Sequence, residues 1–167
     1  TVSLSGFVDL EYITADWYLA FTSAYQVSIK NSASFDSLSL VQNASPFLIE
    51  NYCSGIYTGT FNTLMVSSCL TGGTVRNSKF YKGLGTGAHC INVTNGANDI
   101  VFEDNYSGMV SLTRATGIYG MDLIANRATV TRHHNLNCEM KFTGNVVRVT
   151  DVDYCDKLKG STDATTG

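Results

Sequence analysis

With one proline in 167 residues, charge on only 15% of them, no CxxC pair and no long apolar run, the chain is defined first by what it lacks. Scarce proline leaves long backbone ladders possible, because each proline removes a ladder donor. No apolar run approaches the roughly 18–20 residues of a membrane span, so no membrane insertion is expected. The eleven basic residues are scattered and the net charge is −3, whereas nucleic-acid binding needs a clustered basic face. The densest basic spot, Arg132-His133-His134, has no aromatic interleaving; it reads as a solvated loop, with no third ligand at useful spacing for a metal. Cys53, Cys69, Cys90, Cys138 and Cys155 form no Cys/His cluster at metal spacing, and an odd count argues against a disulfide framework. They read as buried, reduced thiols packing like small hydrophobes. Three sequons (Asn43-Ala44-Ser45, Asn92-Val93-Thr94, Asn105-Tyr106-Ser107) point the other way but are expected by chance at this composition, and the compartment is left open. Thr1 carries no initiator Met and no signal-peptide pattern, so the chain reads as a mature product or a piece of a longer one.

What is present is an ordinary apolar content, 44%, enough for one domain with a real core. Its surface must be wetted by Ser, Thr, Asn and Tyr, which suits an elongated β protein or a glycan-facing one. A short apolar-x-Asn signal recurs: Ile29-Lys30-Asn31, Ile49-Glu50-Asn51, Val75-Arg76-Asn77, Phe102-Glu103-Asp104, Ile124-Ala125-Asn126 and Phe142-Thr143-Gly144, at intervals of 20, 26, 27, 22 and 18. Between these fall alternating apolar pairs: Leu38/Leu40, Leu64/Val66, Ile91/Val93, Val110/Leu112 and Val147/Val149. Period-two alternation marks strands with one buried face. No such repeat buries its face alone, so stacking is required. Asn tolerates the left-handed conformation at a turn, and stacked amides can bond one another.

The expected fold class is therefore all-β, a right-handed parallel β-helix (solenoid) of about five to six rungs. The column before the corner reads Lys30, Glu50, Arg76, Glu103, Ala125, Thr143. Its first four members alternate in sign, as charges on neighbouring strands should. Leu10, Ile13, Trp17 and Phe21 share a helical face, so residues 1–25 read as an N-terminal cap, helical or else a strand through Val8, Leu10 and Tyr12. Residues 26–156 form the β-helix, with Gly83 to Gly87 an extruded loop. Residues 157–167 read as a linker or disordered tail.

With rungs such as Gly73 to Phe80 and Asn98 to Asn105 in view, the chain resembles the pectin-lyase-like β-helix superfamily, and especially bacteriophage tailspike and tail-fibre proteins, over roughly residues 25 to 155. The resemblance lies in repeat style and includes no catalytic motif. It implies a homotrimer of the phage tail, or an extracellular protein, that binds and often cleaves bacterial surface polysaccharide. It also implies that relatives act as lyases or hydrolases of pectin-like polymers. No cofactor is implied.

Glycoside hydrolysis needs two carboxyl groups across a groove, and Glu50, Glu103 and Asp104 are the candidates. The same charge ladder and corner also explain all three as structural residues. Asp9, Glu11 and Asp16 read as the solvated face of a cap helix. Asp151, Asp153 and Arg148 only weakly imitate the calcium site of the pectate lyases. Trp17, Tyr52, Tyr57, Tyr81, Tyr106 and Tyr119 are candidate platforms for sugar stacking, each with an apolar face and most beside turns. Capping a corner or sitting in a trimer interface explains each of them equally well. A polysaccharide-binding module, a polysaccharide-degrading enzyme and a structural shaft or adhesin segment are the three readings of function.

Overall fold

The computed structural model describes residues 2–3, 6–55, 61–82, 88–109, 118–136, 138–153, 157–160 and 164–166. Among these there are strands and turns and no helix. Every ladder is parallel, and the chain returns repeatedly to the same three faces of strongly curled sheets.

The first face stacks Phe7–Glu11, Gln26–Lys30, Phe47–Glu50, Gly73–Arg76, Ile100–Glu103, the first half of Arg127–Leu136, Val146–Asp153 and Ala164–Thr166. The second stacks Thr14–Ala15, Ala33–Ser34, Cys53–Ser54, Lys79–Lys82, Tyr106–Met109 and the second half of Arg127–Leu136. The third stacks Val2–Ser3, Tyr18–Thr22, Ser37–Val41, Leu64–Ser67, Ile91–Ala97, Tyr119–Ala125, Glu139–Thr143 and Lys157–Gly160. Arg127–Leu136 runs unbroken across a corner and joins the first two faces into one sheet.

Alternation decides which side chains face inward. Ile29, Ile49, Val75, Phe102, Val130 and Val149 line up inside the first face; Leu40, Val66, Val93, Leu123 and Phe142 line up inside the third. Each such side chain contributes about 1.5–3 kcal/mol on burial. Where one pass places the Phe47 ring, the next has Gly73, whose absent Cβ would lie 2.6 Å from that ring.

The corner after the first face is left-handed at Tyr12, Asn31, Asn51, Asn77, Asp104, Arg132 and Asp151. Their spacing is 19, 20, 26, 27, 28 and 19 residues. The longer passes take their extra residues between the second and third faces, where positions 56–60, 83–87 and 110–117 fall. Corner amides close the stack: Asn31 N–H donates to the Glu50 carbonyl, Asn51 to Arg76 and Asn77 to Glu103. Asn51 Nδ2 donates to Asn31 Oδ1 (2.9 Å), and Asn31 Nδ2 to Glu11 Oε1 (3.0 Å). The expected amide ladder is thus present between two passes and ends on a carboxylate.

Four of the six expected corners stand where the repeat puts them; Asn126 and Gly144 do not. Both lie at the opposite corner, between the third and first faces, where Asn126 Nδ2 donates to Asn98 Oδ1. The fifth and sixth corners are Arg132 and Asp151, so Thr131 and Thr150 replace Ala125 and Thr143 in the charge column. Val147 and Val149 accordingly belong to the first face, and Val110/Leu112 lie outside the described residues. The column gains Glu11 at its head and reads Glu11, Lys30, Glu50, Arg76, Glu103. Arg76 Nε meets Glu50 Oε1 at 2.9 Å. Arg76→Glu would stack three like charges and is expected to cost about 1–2 kcal/mol in urea unfolding, partly recovered in molar salt.

Residues 7–22 form a full additional pass: of the two readings of this segment the strand through Val8 and Leu10 is present, with Tyr12 at its corner, and the helix is not. Phe7–Glu11 pairs with Gln26–Lys30 along its whole length, and that ladder overrides the helical spacing of Leu10, Ile13, Trp17 and Phe21. Asp9, Glu11 and Asp16 therefore sit on a strand and a turn. Lys157–Gly160 and Ala164–Thr166 pair into the stack as well, where a linker was expected. Eight described strands on the first face exceed the five to six rungs expected. The Gly83 to Gly87 run lies outside the described residues. Cys69, Cys90 and Cys138 are buried, Cys53 is exposed, and Cys155 lies outside the described residues. Of the sequons, Asn43 and Asn105 are buried.

Candidate functional site

The carboxylates singled out from the sequence sit on the ridge where the first face turns. Glu50 and Glu103 flank Arg76 in the charge column, two strand spacings or about 10 Å apart. Arg132 bonds Glu103 and holds Asp104 Oδ1 at 2.6 Å. Its guanidinium keeps the Asp104 carboxyl below the usual range, chiefly by hydrogen bonding. Each of the three has an arginine partner, and none lines the groove described below. Arg148 stands on the first face and Asp153 on the second, with the corner Asp151 between them, so the three make no calcium-like cluster.

The aromatics scatter. Tyr52 is 1% exposed, stacked on Phe80 at 6.2 Å, and cannot offer a face to a sugar. Its hydroxyl has Ser34 and Ser54 nearby but no bond of good geometry; those serines hold each other at 2.8 Å. Tyr57 lies outside the described residues. Tyr81 and Tyr106 border one small hollow of about 100 Å³ on the second face. Tyr106 stacks on His134 (4.4 Å between centroids, 20° between planes) and carries Lys79 Nζ 5.5 Å from its ring. Since Lys79 and His134 stand on the strands to either side, both of its faces are covered. His134 Nδ1 bonds Asp153 at 2.6 Å. His133 and His134 occupy a strand, not a loop; alternation sends one inward and the other outward, so they cannot share a metal ion. Trp17 is 60% exposed at the turn leading to the third face.

The larger concavity, about 430 Å³, lies on the outside of the third face. Register puts Ala20, Ser39, Met65 and Asn92 in one outward column across four strands. Two small side chains at one end of that column leave the floor low. Tyr18 rises from the first of these strands, and Phe61, Asn62 and His89 stand on the connections that enter the third face. Asn62 Oδ1 accepts the His89 backbone N–H at 2.8 Å, which fixes the rotation of its amide. The lining is apolar ring, methyl and thioether with amides and hydroxyls among them, and the four strands span about 14 Å.

At one end of the groove three passes bring together His89, Tyr119, Asp122 and Lys141. His89 Nδ1 accepts the Tyr119 backbone N–H (3.2 Å), so the neutral ring carries its proton on Nε2. Nε2 stands 3.6 Å from Asp122 Oδ2, beyond hydrogen-bond length, and Lys141 Nζ stands 3.3 Å from the same oxygen. Asp122 is 8% exposed, and its Oδ1 is buried without a partner. Burial lowers the His89 pKa; Asp122 opposes that and the lysines Lys141 and Lys82 add to it, which leaves the ring neutral at pH 7. Tyr119 tilts against His89 at 5.1 Å and lies 5.6 Å from Lys141 Nζ. Only Tyr119 of this group was a sequence candidate. The others look like routine outward positions until register is known. Compared with protein-family models, with curated protein sequences and with solved structures, the chain matches none.

Proposed function

We propose that the chain is a right-handed parallel β-helix that binds bacterial surface polysaccharide along its third face, as a tailspike-like module for host attachment on a phage tail or other extracellular assembly. The observation that carries this reading is the groove. Pyranose rings offer an apolar face and a rim of hydroxyls, and Tyr18, Phe61 and Met65 beside Ser39, Asn62 and Asn92 supply the complement of each. The parallel ladders and the charge-poor surface support the β-helix part. A homotrimer agrees with the bulky apolar side chains left exposed on the first pass, Phe7, Tyr12, Trp17 and Tyr25; sedimentation as a monomer would count against it.

The test is Ser39→Trp, which fills the groove floor from an outward position. It is expected to reduce binding to a cognate capsule or O-antigen polysaccharide at least about tenfold, or 1.4 kcal/mol. The melting midpoint should stay within about 2 °C, as for other surface changes. Unchanged binding would remove the groove from the function. A polysaccharide-degrading enzyme is the second reading, favoured by the titratable cluster bordering the groove. Release of reducing ends by wild-type protein but not by Ser39→Trp would select it.

A further inference from the structure

Asn62, His89 and Tyr119 each stand two residues before Leu64, Ile91 and Met121, which are partners in register on the third face. They are equivalent points of entry in successive passes, and side chains tie them together in one direction. Asn62 Oδ1 accepts the His89 backbone N–H at 2.8 Å, and His89 Nδ1 accepts the Tyr119 backbone N–H at 3.2 Å. The first tie ends on an amide oxygen, which accepts at any pH. The second ends on an imidazole nitrogen, which accepts only while the ring is neutral, because both nitrogens of an imidazolium are donors. Turning the protonated ring gives no remedy, since no edge of it then offers a lone pair.

The ladder gives this second tie little help. Tyr119 pairs with Glu139 and Met121 with Met140, so Gly120 is an extra residue that interrupts the pairing beside the latch point. Among the described residues, the titratable side chains facing the ring are Asp122 and Tyr119 on Tyr119–Ala125, Lys141 on Glu139–Thr143 and Lys82 at the end of Lys79–Lys82. Burial is the largest influence and lowers the pKa of the ring; Asp122 opposes it and the two lysines add to it, so the ring titrates below the ordinary 6.5 of a histidine. His89 lines the groove together with Phe61, Asn62 and Met65.

We infer that the tie from His89 to Tyr119 is an acid-released latch on the groove wall. In neutral solution it fastens two passes beside the groove. On protonation His89 lets go of the Tyr119 amide, its Nε2–H drawn to Asp122 Oδ2, which already stands 3.6 Å away, and the wall loosens. The latch stands on these hydrogen bonds; its effect on binding rests on the groove being the glycan site, which then holds its polysaccharide at neutral pH and releases it in acid.

The test is a titration of the full chain by NMR between about pH 7.5 and pH 5, following the His89 ring C–H, the Tyr119 amide and the Met65 ε-methyl. In wild type all three should move with one midpoint below that of a free histidine. In His89→Asn, whose Oδ1 repeats the arrangement of Asn62, the Tyr119 and Met65 signals should stay flat. A capsular or O-antigen polysaccharide bound at pH 7 should bind wild type at least about threefold more weakly at pH 5, and His89→Asn by an unchanged ratio whatever its affinity at pH 7. Other acid-sensitive groups are common to both proteins and cancel in that comparison. A Tyr119 amide that does not follow the His89 ring, or that moves equally in His89→Asn, overturns the latch. Equal pH ratios for binding in the two proteins overturn the gating. A chain that binds no polysaccharide removes the glycan reading, and the NMR midpoints still decide the latch. Should His89→Asn fail to fold, agreement or disagreement of the three wild-type midpoints decides alone.

Discussion

Gly72→Ala is expected to leave the chain largely unable to hold its native fold at 37 °C. Gly72 sits at φ 74°, where a side chain is strained, and an added Cβ would lie 1.6 Å from the Asn98 carbonyl oxygen and 2.8 Å from the Asp99 carbonyl carbon. Those atoms belong to the backbone of the turn directly before Ile100–Glu103 in the next pass, so their retreat would pull on a strand paired on both sides. Left-handed strain costs about 1–3 kcal/mol and overpacking about 1–3 kcal/mol more. Together these approach the roughly 5–15 kcal/mol that holds an ordinary domain folded. Gly6→Ala is the control, since nothing lies within 4 Å of its Cβ position. A urea midpoint for Gly72→Ala equal to that of Gly6→Ala would mean that the passes do not stack as described at this turn.

Acid is expected to weaken the protein through His133. Its ring is fully buried, and Nε2 and Ser107 Oγ are 2.8 Å apart. The Ser107 hydroxyl donates to Asn135 Oδ1 (3.1 Å), so Nε2 must be the donor, and Nδ1 remains buried without a partner. Burial lowers the His133 pKa from 6.5 to about 3, with His134 adding to the shift. The folded value lies below the unfolded one, so the unfolded chain takes up the proton first as pH falls. The stabilisation is whole above pH 6.5 and declines by about 1.4 kcal/mol per unit between there and pH 3. Asp99 and Asp104, held low by Arg127 and Arg132, add acid sensitivity at lower pH. The informative quantity is therefore the difference between wild type and His133→Gln. That difference should change by about 2 kcal/mol between pH 7 and pH 5, and a flat difference curve would refute the buried neutral ring.

The parts of this architecture that could be read beforehand are those governed by period two. Ile29, Ile49, Val75 and Phe102 alternate with charges of opposing sign, and each precedes Asn or Asp at a left-handed turn, so corner, core and ladder could be read together. Legibility failed at Arg132 and Asp151: the residues before them, Val130-Thr131 and Val149-Thr150, carry no charge of the column, and Arg132 is not a residue type that marks a left-handed turn. The apolar-x-Asn pattern recurs instead at Ile124-Ala125-Asn126, which belongs to another face. Tyr52 and Tyr106 show how sharp that dependence is. Both directly follow an Asn, but the left-handed corner is Asn51 itself before Tyr52 and Asp104, one residue ahead of Asn105, before Tyr106. Tyr52 is thus one residue past its corner and points inward with Ser32, Ser78, Asn105 and His133, whereas Tyr106 is two past and points outward. A slip of one residue exchanges the faces. The groove was hidden for a related reason. His89, Asp122 and Lys141 are far apart in sequence and share no motif, and only the lengths of the intervening passes bring them side by side.

Those lengths carry a consequence of their own. The first two passes take 19 and 20 residues and the next three take 26, 27 and 28, with the excess confined to the junction between the second and third faces. Phe61, Asn62 and His89 follow immediately after two of these insertions. Enlarging such a junction costs little, about 0.6 kcal/mol for each doubling of its length, and it touches no residue of the stacked columns. The molecule therefore separates durability from taste. In the proposed glycan-binding role, changes to the side chains of Phe61 and His89 would alter the groove lining while the inward columns of the stack stay the same.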